Sequence, residues 1–210
     1  MRSRLLAVAA STVLLSILTA CGGSDEGSDG PAASGACTYN ETSEPGTKAK
    51  VPPSEPVKLD AVTITTNRGE IKATLKPDTA PCTVNNFASL AQQGFYDGTK
   101  CHRLVAGFVL QCGDPTATGT GGPGYQFDDE LDGSETYPAG TLAMANSGPG
   151  SNTNGSQFFI VLADSDLPPD YTVFGAVDAA GLKVAQEIEA GGNGPDGIAP
   201  AEDVILESVK

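Results

Sequence analysis

Between Ala61 and Val209 the chain is a succession of short runs in which apolar and polar residues alternate, each cut off by Gly, Pro, Asn or Asp. Alternation of period two places successive side chains on opposite faces of a strand, so a chain patterned this way builds its core from sheet. Val62 and Ile64, then Ile71, Ala73 and Leu75 beyond Asn67-Arg68-Gly69, read as one hairpin. Cys101 to Cys112 reads as a second, turning at Ala106-Gly107. Thr141–Ala145, Phe158–Leu162, Tyr171–Val177 and Val204–Val209 add single strands, for eight in all. Helical spacing occurs twice. Val84, Phe87, Ala88, Leu90 and Ala91 follow Pro81 and end at Gly94, which suit a first helical turn and a C′ position. Leu182, Val184, Ala185 and Ile188 mark a second helix over Ala180–Glu189. With 26 glycines and no Trp, the expected fold is mainly β: a closed eight-stranded antiparallel barrel capped by two α-helices.

The segment ahead of this domain has other patterns. Arg2 and Arg4 precede a largely apolar run from Leu5 to Leu18, shorter than the roughly 20 residues that span a bilayer. The run ends in Leu18-Thr19-Ala20-Cys21, which resembles the lipobox of bacterial lipoprotein signal peptides. That resemblance implies cleavage of residues 1–20, lipid attachment at Cys21, and an extracytoplasmic protein anchored to the cell membrane of a bacterium. Residues 21–56 are rich in Gly, Ser, Pro, Ala and acids, a composition that predicts a structureless tether before a domain at 57–210. Cys37, followed by Thr38-Tyr39, stands out from it as a candidate staple onto the domain. Asn40-Glu41-Thr42 and Asn154-Gly155-Ser156 match a glycosylation pattern, which in a bacterial-type lipoprotein is read as coincidence.

Composition and spacing exclude most chemistry. A net charge of −14 with 12 Lys and Arg leaves no basic face for nucleic acid. No C-x-x-C pair occurs, and Cys101-His102 is a poor chelate because strand neighbours point apart, so no metal is expected. Gly119-Thr120-Gly121-Gly122-Pro123-Gly124 satisfies G-x-G-x-x-G but opens no helix, which argues against a dinucleotide. Asp128-Asp129-Glu130-Leu131-Asp132 lacks calcium-loop spacing and reads as a solvated acidic loop. The single histidine, His102, alternates away from the polar face of its strand, and no nucleophile elbow exists, so hydrolase triads find no partners.

The second hairpin holds the remaining functional signal. If its turn sets Arg103 opposite Gln111, one patch of sheet carries a cation, an amide and apolar neighbours, suited to a neutral, amide-rich ligand. Strict alternation then puts Cys101 and Cys112 on opposite sides of the hairpin, which favours pairings with Cys37 and Cys82 over a direct bridge. All three connectivities of these four cysteines remain open at this stage.

The motifs His102-Arg103-Leu104, Gly107-Phe108-Val109-Leu110-Gln111, Gly119-Thr120-Gly121-Gly122, Met144-Ala145-Asn146-Ser147-Gly148-Pro149, Asn152 to Ile160 and Val173-Phe174-Gly175 occur in order. In that order the chain resembles the cyclophilin-type peptidyl-prolyl isomerases over about residues 57–210. The resemblance implies catalysis by Arg103, Gln111 and Phe108, with substrate bound by Val109, Ala145, Asn146, Gln157, Phe159, Leu167 and Tyr171. It implies a monomer acting on proline-containing polypeptides, with no cofactor; the alternative is a membrane-tethered module that binds proline segments without turnover. This chain departs from the family at Val109, where Met is usual, at Tyr171, which stands where a His is usual, and at Cys101 and Cys112.

Overall fold

The structure, a computed structural model, describes residues 35–210. Residues 1–20, Cys21 and the start of the expected tether lie outside the described residues.

In chain order the elements are β1 (Asn40–Glu41), β2 (Ala61–Thr66), β3 (Gly69–Leu75), α1 (Pro81–Gln92), β4 (Arg103–Val105) and β5 (Val109–Cys112). They continue with β6 (Tyr125–Gln126), β7 (Thr141–Met144), β8 (Phe158–Val161), β9 (Val173–Val177), α2 (Ala179–Ala190) and β10 (Leu206–Val209). Eight strands form one antiparallel sheet in the order β10-β2-β3-β9-β7-β8-β5-β4. The expected closed barrel is modified at the seam between β4 and β10, which have no continuous ladder. The chain just before β4 crosses the seam instead. Lys100 bridges both Asp114 and Ile205; Gly98 donates to Leu206, and Cys101 N–H donates to the Val204 carbonyl.

The inward residues of each strand form the main core with one face of α1. Ile64, Ile71, Leu104, Leu110, Leu142, Phe158, Ile160 and Phe174 pack with Val84, Phe87 and Leu90. The N-terminus of α1 has no side-chain cap of its own. Glu130 supplies one from the acidic loop, accepting from Cys82 N, Thr83 N and the Thr83 hydroxyl at 2.7–2.9 Å. Carboxylate at a helix N-terminus satisfies orphan N–H groups and opposes the dipole. Asp129 accepts from the Asn146 and Asn154 amides and from Asn152 N–H. The loop read as merely solvated therefore holds two other segments in place.

The stretch read as a structureless tether behaves differently wherever it is described. Residues 35–56 form a strap across the domain. Cys37 is disulfide-bonded to Cys82 at the start of α1. β1 pairs with β6, and Tyr39 lies edge-on to Tyr125 and Phe127 at 5.6 and 5.5 Å. Gln93 both donates to and accepts from the Lys50 backbone. One disulfide, one aromatic side chain and main-chain hydrogen bonds do the holding, none of which registers as hydrophobic periodicity.

The other disulfide joins Cys101 to Cys112, with Cα atoms 3.9 Å apart. The expected pairing of these two with Cys37 and Cys82 is thus corrected. The Arg103–Gln111 register does hold. But Cys101 and His102 precede β4 and lie outside strand geometry, and Cys101 turns its N–H toward Val204 across the seam. The alternation that would separate the two thiols stops two residues short of Cys101.

Candidate active site

A second, smaller apolar cluster lies on the outer face of β5, β7 and β8, separate from the barrel interior. Val109, Tyr137, Ala143, Phe159 and Val161 are buried in it, with Val105, Phe108, Ala145, Leu167, Tyr171 and Val173 packed around them. Sheet register explains its composition. Arg103 pairs with Gln111, Gln111 with Phe159, Phe159 with Ala143, and Ala143 with Val173. These form one row across five strands. Val105, Val109 and Val161 form the neighbouring row on the same face. Period-two alternation that sends Leu104, Leu110, Phe158 and Ile160 into the barrel sends these residues outward.

The polar end of the row is a relay of hydrogen bonds. Arg103 Nη1 donates to Gln111 Oε1 at 3.2 Å, Gln111 Nε2 donates to Gln157 Oε1 at 2.8 Å, and Gln157 Nε2 donates to the Gly121 carbonyl at 2.9 Å. The relay ties the planar guanidinium to Gln111 on the sheet face that also carries Val109 and Phe159. Arg103 is half-buried and forms no ion pair among the described residues. The turn that returns β4 to β5 sets this geometry. Phe108 N–H donates to Val105 O at 3.0 Å, and Gly107 takes φ +69°, a conformation that suits glycine.

At the apolar end, Tyr171 stands edge-on to Phe159 at 5.5 Å. The buried Tyr137 hydroxyl donates to the Tyr171 carbonyl and accepts its N–H, each at 3.0 Å. Burial raises the Tyr137 hydroxyl above its ordinary pKa, which keeps it protonated as a donor. Leu167 and Phe108 pack at the margin of the cluster. Asn146 is locked by its side chain, which donates to Asp170 O and Asp129 and accepts from Gly148 N. The Ala145 N–H is already given to Gln157 O at 3.0 Å. Of the two residues expected to meet a peptide backbone, Asn146 alone has both its N–H and its carbonyl unpaired among the described residues.

Several participants carry no signal in the sequence. Tyr137, Ala143 and Val161 reach the site only through register and a distant loop. His102 is buried, and neither ring nitrogen has a partner; burial lowers its pKa, so it stays neutral beneath the site. The glycine-rich loop is no phosphate cradle, because its amides are spent internally. Thr116, Thr118, Gly119 and Gly121 all donate backbone N–H groups to the Asp114 carboxylate. Among the described residues no cluster of His, Cys, Asp and Glu could hold a metal. What remains is one fixed cation with two amides over an apolar floor, an arrangement suited to hydrogen-bonding an amide and to packing a small apolar ring.

Comparison with known proteins places the chain beside one family. The family model for cyclophilin type peptidyl-prolyl cis-trans isomerase/CLD matches residues 61–210. The chain is 47% identical over 196 residues to the probable peptidyl-prolyl cis-trans isomerase B of Mycobacterium leprae (strain TN), covering 83% of this chain and 66% of the relative. It is 51% identical over 176 residues to the protein of the same description in Mycobacterium tuberculosis (strain CDC 1551 / Oshkosh), covering 75% and 56%. The chain thus spans between 56% and 66% of the length of these relatives. Among solved structures it is similar to the cyclophilin type peptidyl-prolyl cis-trans isomerase of Cryptosporidium parvum. The identity is 35% and the TM-score 0.66, covering 72% of this chain and 96% of that one. A second crystal structure of that protein, in the presence of the dipeptide Ala-Pro, matches at 34% and 0.62, covering 71% and 96%.

Proposed function

The chain belongs to the family of cyclophilin-type peptidyl-prolyl cis-trans isomerases, and on that premise we propose that it accelerates X-Pro isomerisation in secreted or envelope polypeptides while tethered to the membrane through Cys21. The barrier to be lowered, about 18–20 kcal/mol, comes from resonance between the prolyl nitrogen and its carbonyl. No bond is broken, so the site needs neither a nucleophile nor a titrating group. It needs to bind the twisted amide better than either planar form.

The observation that carries this reading is the Arg103–Gln111–Gln157 relay on the sheet face that carries Val109 and Phe159. The proline ring packs on Val109 and Phe159, with Phe108, Leu167 and Tyr171 at the margin. This holds the ring while the preceding carbonyl swings. Twisting localises a lone pair on the prolyl nitrogen, and the Arg103 guanidinium donates to it. An arginine stays charged throughout and presents a planar fork of donors, one of which remains committed to Gln111. Gln157 holds Gln111 in turn, so the cation is positioned before substrate arrives. Asn146 offers its free main-chain groups to the substrate backbone.

The test is a prolyl-isomerisation assay on the full chain. Wild type should turn over an X-Pro peptide, and Arg103→Ala should lower kcat/KM by about 10²-fold or more, the usual loss for a donor aimed at developing charge. Arg103→Lys should recover little of it, because an ammonium cannot serve Gln111 and the prolyl nitrogen with one planar fork. If wild type and Arg103→Ala both match the uncatalysed rate while still binding the peptide, the protein is a proline-segment binding module and the isomerase reading fails.

A further inference from the structure

A polar cleft of about 240 Å³ opens beside the relay, walled by Gln111, Gln157, Gly121, Gly122, Asn146 and, from the strap, Glu44. Glu44 is the only charged residue in its lining, and it lies outside the family domain matched at 61–210. We propose that Glu44 makes this cleft a subsite for a basic side chain, so that the protein favours substrates carrying Lys or Arg near the isomerising proline. The proposal rests on the isomerase reading above and names the substrate class of the same groove.

Three observations carry it. The first is placement. Gln111 and Gln157 line the cleft and also hold Arg103, so a polypeptide with its proline over Val109 and Phe159 runs past the cleft mouth. The cleft is smaller than the roughly 300–1,000 Å³ of a site for a drug-sized ligand, and suits one side chain.

The second is the fixing of the carboxylate. Gln126 Nε2 donates to Glu44 Oε1, and the Thr42 hydroxyl donates to Oε2 at 3.4 Å. Glu44 lies directly over Gly122, where a Cβ would collide with its carboxylate. The strap is pinned there by the Gly122 N–H donating to Pro45 O at 3.0 Å. A side chain held by two donors, over a glycine that makes room for it, is positioned rather than trailing in solvent.

The third is charge. Glu44 forms no ion pair among the described residues, and no cation lines the cleft. The Asp114 carboxylate is consumed by loop amides. Glu44 therefore presents an uncompensated negative charge to whatever enters, and a basic side chain is the natural complement.

The experiment uses the full chain and matched X-Pro peptides with Lys, Gln or Glu placed at one position at a time on either side of the proline. Turnover and binding by NMR titration are both measured. At one position wild type should favour Lys over Gln, and Gln over Glu, by about two- to fivefold at each step, the size expected of a partly exposed ion pair. The preference should reside in KM and in affinity and shrink as salt is raised. Glu44→Gln should erase it and Glu44→Lys should invert it, an outcome that a merely structural role for Glu44 could not produce. Equal handling of the three peptides at every position, or a Lys preference that survives both substitutions, overturns the proposal. Loss of turnover with a retained Lys preference in binding would sink the isomerase reading and leave the subsite standing.

Discussion

Arg103 and His102 are adjacent in the chain and opposite in consequence. Arg103 opens β4 on the outer face, where Gln111 and an apolar floor await it; His102 precedes the strand and is buried with both ring nitrogens unpartnered. Burial disfavours the imidazolium, so the His102 pKa is depressed in the folded state, opposed in part by the nearby Asp114 carboxylate. In the unfolded chain it takes up a proton near its ordinary value of about 6.5. A base with a depressed folded pKa contributes stability above its unfolded pKa and loses it as pH falls toward the folded one. Unfolding free energy should thus decline as pH drops below about 6.5, with a slope no steeper than about 1.4 kcal/mol per pH unit, the limit for one proton. His102 is the only histidine, so His102→Gln should flatten the profile between about pH 5 and 7. Denaturant titrations across that range decide it, and a wild-type profile already flat there would refute the assignment.

At the scale of elements, the two disulfides act on different neighbours. Cys101–Cys112 closes the open end of the β4–β5 hairpin, directly beneath Arg103 and Gln111. Cys37–Cys82, spanning 45 residues, ties the strap to the start of α1 and so keeps Glu44 over Gly122. Cross-linking a loop of that length stabilises a domain by about 2–4 kcal/mol, chiefly by restricting the unfolded chain. The double substitution Cys37→Ser/Cys82→Ser should lower stability by about that amount and expose residues 35–56 to protease while the barrel stays folded. Denaturant midpoints and the sites of limited proteolysis measure the two effects. A strap that resists cleavage without its disulfide would mean that β1–β6 pairing and Tyr39 packing suffice on their own.

Taken whole, the molecule joins a groove for extended polypeptide to an N-terminal segment with a lipoprotein pattern. Acyl chains on Cys21 would hold the domain at a membrane surface, where translocated chains emerge; two or more chains are needed for firm anchoring. On that proposal, Cys21→Ser should move the protein from the membrane to the soluble fraction in the producing cell. Fractionation with immunoblotting reads this directly, and continued retention of the variant in membranes would exclude the anchor. The two ideas are separable, since an isomerisation assay in detergent would not require the anchor.

How much of this was legible in the chain follows from which interactions are local. Period-two runs and helical spacing are local properties, and they delivered the eight strands of the main sheet, both helices, the register of Arg103 against Gln111 and the apolar character of Val109 and Phe159. The order of motifs from His102 to Gly175 delivered the family. Non-local partners were not readable. Tyr137 under Tyr171, Glu130 on α1 and Glu44 over Gly122 each join segments more than 30 residues apart. No spacing rule encodes such a meeting. The strap was hidden because main-chain hydrogen bonds and a disulfide leave no trace in hydropathy, and the Cys101–Cys112 bridge because alternation gives no notice of the residue at which a strand begins. Strand, helix and family motifs belong to the sequence; the seam of the barrel, the disulfide pairing and the acidic wall of the cleft exist only once the sheet has curled and brought distant residues within bonding distance.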